Sequence, residues 1–201
     1  MKNENLNPPS AKRVAHRAMI LAALVCRGFI ESENPSDVEE LRASLLPWID
    51  KMGARDEVEK HELVALTAPL KGLEDQVQIN LVWSVEALAL LSWAMGRYEL
   101  HPEDEVAEPQ SITNTLMFLS DMAKTLVDEP SLKEEALLKE MHDSIYTTQC
   151  QLKAFAQNPL NTDKLEDEKF VAKTSLIRER SRAIKWLQGD AALYSEVDIS
   201  L

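Results

Sequence analysis

Between Ile79 and Met95 the only charged residue is Glu86. At helical spacing, Trp83, Ala87, Leu90 and Ala94 line one face of this stretch, and Leu81, Val85, Leu88, Ser92 and Met95 line another. A helix that is apolar around most of its circumference must be covered on several sides. The segment at about 74–95 is therefore expected to be the innermost element of the fold, closed by Gly96. A bilayer span needs about 20 predominantly apolar residues. This run is shorter and includes Asn80, Ser84 and Glu86, so it reads as a buried core helix.

The rest of the chain supplies helices to cover it. With 5 Gly and 9 Pro in 201 residues there is little material for tight turns, which argues against a many-stranded β protein. Hydrophobic residues make up 45%, enough for a substantial core at this length. Ser10 is placed to cap a first helix with the stripe Val14, Ala18, Leu21, Val25 and Phe29. Lys12, Arg13 and Arg17 near its start oppose its dipole. Ser36 and Glu39 form a capping-box pattern before a second helix, which Pro47 should kink or split and Gly53 should end. Val58, Leu63 and Leu66 predict a short helix, and Pro69 with Gly72 a turn. Ser111 is expected to open a helix through Leu126, and Ser131 with Glu134 a long one through Phe155, stopped at Asn158-Pro159. A last helix covers roughly Glu168 to Gln188, followed by an extended tail from Tyr194 to Leu201. The expected architecture is all-α: a polar tail at residues 1–10, then a single compact orthogonal domain of about seven helices at residues 11–201.

The formal net charge of -12 argues against nucleic acid as a partner, because phosphate binding requires clustered Lys and Arg. An acidic surface suits a basic protein instead. Cys26 and Cys150 both lie in apolar, helix-like surroundings and read as buried thiols, in keeping with a cytoplasmic location. The polar start, Met1 to Pro9, has no secretory pattern, so no membrane association is expected.

The common catalytic patterns are absent: no G-x-S-x-G elbow, no phosphate-binding glycine loop and no G-x-G-x-x-G. His61-Glu62 starts like a zinc-protease motif, but Ala65 stands where the second imidazole is required. His16, His61, His101 and His142 have no ligand-spaced partner, so neither a metal nor a cofactor is expected. The loop from Arg97 to Gln110 holds Glu99, Glu103, Asp104, Glu105 and Glu108, an acidic surface for a basic partner. Glu86 is the most informative residue, because a buried carboxylate is costly unless paired or protonated. Its possible partners are Arg178, Arg180, Arg182 and Lys185 on the basic last helix. Two readings stand: an acid lining a pocket with Trp83, Trp93, Trp186 and Arg180, or an ion pair joining two helices.

The run Leu81-Val82-Trp83-Ser84-Val85-Glu86-Ala87-Leu88, then Leu91-Ser92-Trp93-Ala94-Met95-Gly96 and Glu99-Leu100, resembles the central motif of a bacterial family of unknown function, DUF4272. The helix from Ala18 to Ile30, the turn from Thr67 to Leu73, and Glu179-Arg180, Ala183, Trp186-Leu187, Gly189 and Tyr194-Ser195-Glu196-Val197-Asp198 are similar to it as well. Gln149, Cys150 and Gln151 depart from a His-Trp-Arg-like patch of the family, and Ser181 and Lys185 from its usual His and Asn. The resemblance implies a mainly helical, bacterial, cytosolic protein and brings no activity. The functional expectation is a non-enzymatic binding module, an inhibitor or immunity-type partner of a basic protein. The alternative is a small-molecule-binding protein or enzyme with its pocket around Glu86 and Arg180.

Overall fold

The computed structural model describes residues 7–102 and 105–199. Glu103 and Asp104 of the acidic loop lie outside the described residues, as do the first six residues and the last two. Eight α-helices are present among the described residues: α1 (Ala11–Ile30), α2 (Pro35–Lys51), α3 (Lys60–Thr67), α4 (Asp75–Ala94), α5 (Pro109–Thr115), α6 (Lys124–Asp128), α7 (Glu135–Gln157) and α8 (Glu168–Leu187). Short 3-10 turns cover Arg55–Glu57, Asp121–Ala123, Pro159–Lys164 and Tyr194–Glu196. No strand occurs among the described residues, so the chain is all-α.

The apolar run becomes α4, which packs most extensively on α1 and then on α8. Its side chains from Ser84 to Ser92 are all buried. By length and composition alone α4 could cross a membrane, with a mean hydropathy of 1.3; here helices cover it. The crossing with α1 is close because Gly28 has no side chain: a Cβ there would stand 2.9 Å from Leu81 Cβ and 3.1 Å from the Val82 nitrogen. The helix ends in a Schellman turn. Gly96, at φ 71, donates to the Trp93 carbonyl, and Arg97 donates to the Ser92 carbonyl. Lys133 N–H and the Ser131 hydroxyl then reach the carbonyls of Ala94 and Met95, which satisfies two more groups at this end.

Several local expectations are corrected. The cap of α2 is Asn34, which accepts from Ser36 N–H, with Pro35 in the first turn; Ser36 and Glu39 make no capping box, and Glu39 pairs with Arg42. Pro47 does not split α2, because Leu45, Trp48 and Ile49 on either side of it are buried against neighbouring helices. Glu108, not Ser111, caps α5, and the expected helix to Leu126 breaks where Met117 and Leu119 adopt φ of 53 and 61. That break lets Phe118 meet Trp48 edge-on at 4.9 Å. Ser131 faces the end of α4, and α7 starts after Glu134. Cys150 is exposed on α7, not buried, and Cys26 is only half-buried, with burial pushing its thiol up to about 11. The tail forms a 3-10 turn at Tyr194–Glu196 rather than an extended strand.

Candidate functional site

The lone carboxylate of α4 meets a guanidinium of α8. Arg180 Nε donates to Glu86 Oε2 at 2.9 Å, and Nη2 lies 2.9 Å from the same oxygen. Glu86 Oε1 accepts from Ala107 N–H at 2.6 Å, and Arg180 Nη1 donates to the His101 carbonyl at 2.9 Å. Glu86 is 0% and Arg180 1% exposed. The pair thus joins two core helices and holds the loop that follows α4 at His101 and Ala107. Neither residue lines either of the two cavities described below, and neither do Trp83, Trp93 or Trp186. Trp186 is fully buried and stacks edge-on against Tyr194 at 5.6 Å, and Trp93 lies under the Lys133 ammonium at 5.3 Å. Glu86 and Arg180 thus form an enclosed ion pair between α4 and α8, apart from those two cavities.

The acids of the loop also have local occupations. Glu105 sits 3.4 Å from His101, and Glu108 accepts from the N–H groups of Gln110 and Ser111 as a helix cap. Glu99 is exposed.

Two further buried pairs lie on α1, and sequence reasoning did not find them. Arg27 Nη1 donates to Glu31, one helical turn on, while its other nitrogens donate to the carbonyls of Ala65, Ala68 and Pro69 at the end of α3. Glu31 accepts from Leu73 N–H at 2.8 Å. Burial raises the pKa of Glu31, but this hydrogen bond and the Arg27 guanidinium outweigh it and hold the carboxyl below its ordinary value. Arg17 Nη1 donates to Glu62 at 2.6 Å and its Nη2 to the Glu57 carbonyl at 2.7 Å. The basic start of α1 is thereby compensated by the acidic segment around α3. The i,i+4 spacing of Arg27 and Glu31 was a visible signal; the partners of Arg17 lie 40 residues and more away.

The larger cavity, about 680 Å³, opens where α1, α3, α4, α8 and the tail meet. Leu21 and Leu24 of α1, Ala65 of α3, and Val77 and Leu81 of α4 make its apolar wall. Glu62, Arg178, Glu179, Arg182 and Tyr194 make its polar wall. The tail is fastened across one edge. Glu59 Oε1 accepts from the N–H groups of Tyr194 and Ser195, Arg13 Nη2 donates to the Ala192 carbonyl, and Lys185 Nζ to the Asp198 carbonyl. The Tyr194 ring lies near two guanidiniums, Arg17 at 5.1 Å and Arg182 at 6.0 Å. Its hydroxyl is buried and has no protein partner. Burial and the nearby Glu179 carboxylate push the Tyr194 pKa far up, so the phenol stays protonated. Glu179 is 1% exposed and accepts from Arg182 Nη1 at 2.7 Å and Arg178 Nε at 3.3 Å. Burial raises its pKa against the pull of both arginines.

No group of His, Cys, Asp and Glu among the described residues is arranged to hold a metal ion. The cavity offers hydrogen-bond donors and a greasy wall. A smaller cavity of about 460 Å³, lined by Cys26 and Phe29 of α1, Leu41 of α2 and residues of α5, is mainly apolar.

A family model described as Domain of unknown function (DUF4272) matches residues 1–197. No curated protein and no solved structure matches the chain.

Proposed function

We propose that the chain, which belongs to the DUF4272 family, is a non-catalytic protein that binds a small molecule in the cavity between α1, α3, α4, α8 and the tail. The observation that carries this reading is a cavity of about 680 Å³ with one apolar wall and one charged wall. Ligand sites generally have this make-up, a mainly apolar enclosure with a few convergent polar groups. No nucleophile stands beside a base in this wall, so binding rather than turnover is the reading.

The expectation of an inhibitor or immunity-type partner for a basic protein has weaker support. Its basis is the net charge of -12. Of its acidic loop, Glu108 and Glu105 already have local partners.

The neutral dye Nile red tests the cavity. The protein should bind it saturably at one site, with a rise in fluorescence. Val77→Trp, which fills the cavity from α4, should abolish binding, while Met122→Trp, outside both cavities, should leave it intact. Equal binding by both variants would place the dye elsewhere and reject the reading.

A further inference from the structure

The polar wall of the cavity holds two guanidiniums, Arg178 and Arg182, with the carboxyl groups of Glu62, Glu74 and Glu179 around them. Arg178 and Arg182 share one carboxylate, Glu179, which lies behind them at 1% exposure while their own side chains are 34% and 24% exposed. Each guanidinium has five N–H donors. Beyond the bonds to Glu179, neither has another hydrogen-bond acceptor among the described residues, so most of these donors are open.

Of the other acids on the wall, one is already paired and one lies in water. Glu62 is bonded to Arg17 Nη1 and to Glu59 N–H. Glu74 precedes α4 and is exposed, so water and salt screen its charge. His61, the remaining titratable group on the wall, brings no negative charge.

Resting on the cavity reading above, we infer that the ligand is an amphipathic oxyanion. Its carboxylate or phosphate head is held by Arg178 and Arg182, and its apolar body lies along Leu21, Leu24, Ala65, Val77 and Leu81. Guanidinium forks match the oxygens of either head group. The volume of about 680 Å³ lies within the range typical of small-molecule sites.

Displacement of bound Nile red by four ten-carbon compounds tests this: decanoate, decyl phosphate, decylamine and decanol. At least one anion should displace the dye at about tenfold lower concentration than decanol and decylamine, equivalent to about 1.4 kcal/mol. The better of decanoate and decyl phosphate identifies the head group. R178Q should erase that advantage while decanol displaces within about twofold of its wild-type concentration. R182Q, checked for fold by circular dichroism, should do the same. Preference for decylamine or decanol, or an anion advantage that survives both substitutions, would overturn the inference and leave the cavity reading standing. Absence of Nile red binding would overturn the cavity reading and the inference with it.

Discussion

At the scale of single residues, the buried charges dominate. A desolvated ion pair is not strongly stabilising as a unit, but removing one partner strands the other in a low-dielectric interior. Glu86→Ala is therefore expected to lower unfolding free energy by about 3–5 kcal/mol in urea titrations. Replacing the pair together, Glu86→Leu with Arg180→Met, should recover most of that loss, apart from the hydrogen bonds to Ala107 N–H and the His101 carbonyl. A loss of under about 1 kcal/mol for the single variant would show that water reaches the site. Glu179 gives a test with the opposite pH sign from a typical surface acid. Burial raises its pKa above the usual 4.5, so the folded state holds the proton to higher pH than the unfolded chain does. Its contribution is present below the ordinary value and is lost as pH rises through the folded one. Thermal melts of wild type and Glu179→Gln between about pH 4 and 7 should show the wild type losing ground to the variant as pH rises. A difference that stays flat or moves the other way would contradict a desolvated carboxylate.

At the scale of elements, the α1–α4 crossing is the central packing event, and Gly28 sets its distance. An added methyl must displace Leu81 Cβ or the backbone at Val82, neither of which is the free end of a flexible chain. Gly28→Ala should destabilise by about 1–3 kcal/mol, after subtracting roughly 1 kcal/mol of improved helix propensity. A higher Tm for this variant would mean that the helices separate at little cost. Element boundaries show what the sequence conveys. Gly53 and Gly96 end α2 and α4 as expected, and Gly189 ends α8, because each takes a positive φ that a Cβ disfavours. The helices do not start at Ser36, Ser111 and Ser131: Asn34, Glu108 and Glu134 precede them, and at Ser36 and Ser131 a glutamate three residues on does not fix which residue turns the backbone.

At the scale of the whole molecule, four segments far apart in sequence enclose the cavity, and the tail closes its edge through Glu59. The acidic loop is a separate feature of the surface. If it recruited a basic protein, Glu99→Lys with Glu105→Lys should abolish capture of that partner in pull-downs and leave Nile red binding unchanged. Retained capture would dismiss the loop as an interface. The surface role is a matter of long-range charge and falls with added salt, whereas the enclosed pairs are screened much less.

The all-α class, the central helix and the need of Glu86 for a basic partner were all determined by the sequence itself. Helical periodicity and glycine stops are local properties, and the cost of an unpaired buried charge holds in any fold. Only the tertiary structure decided that Arg180 rather than Arg178 or Arg182 meets Glu86, and that those two are left facing a cavity beside Tyr194. The physical reason is angular. Successive residues on a helix point about 100° apart, so the register of α8 against α4 determines which guanidinium is enclosed and which remain open, and that register follows from packing over the whole core.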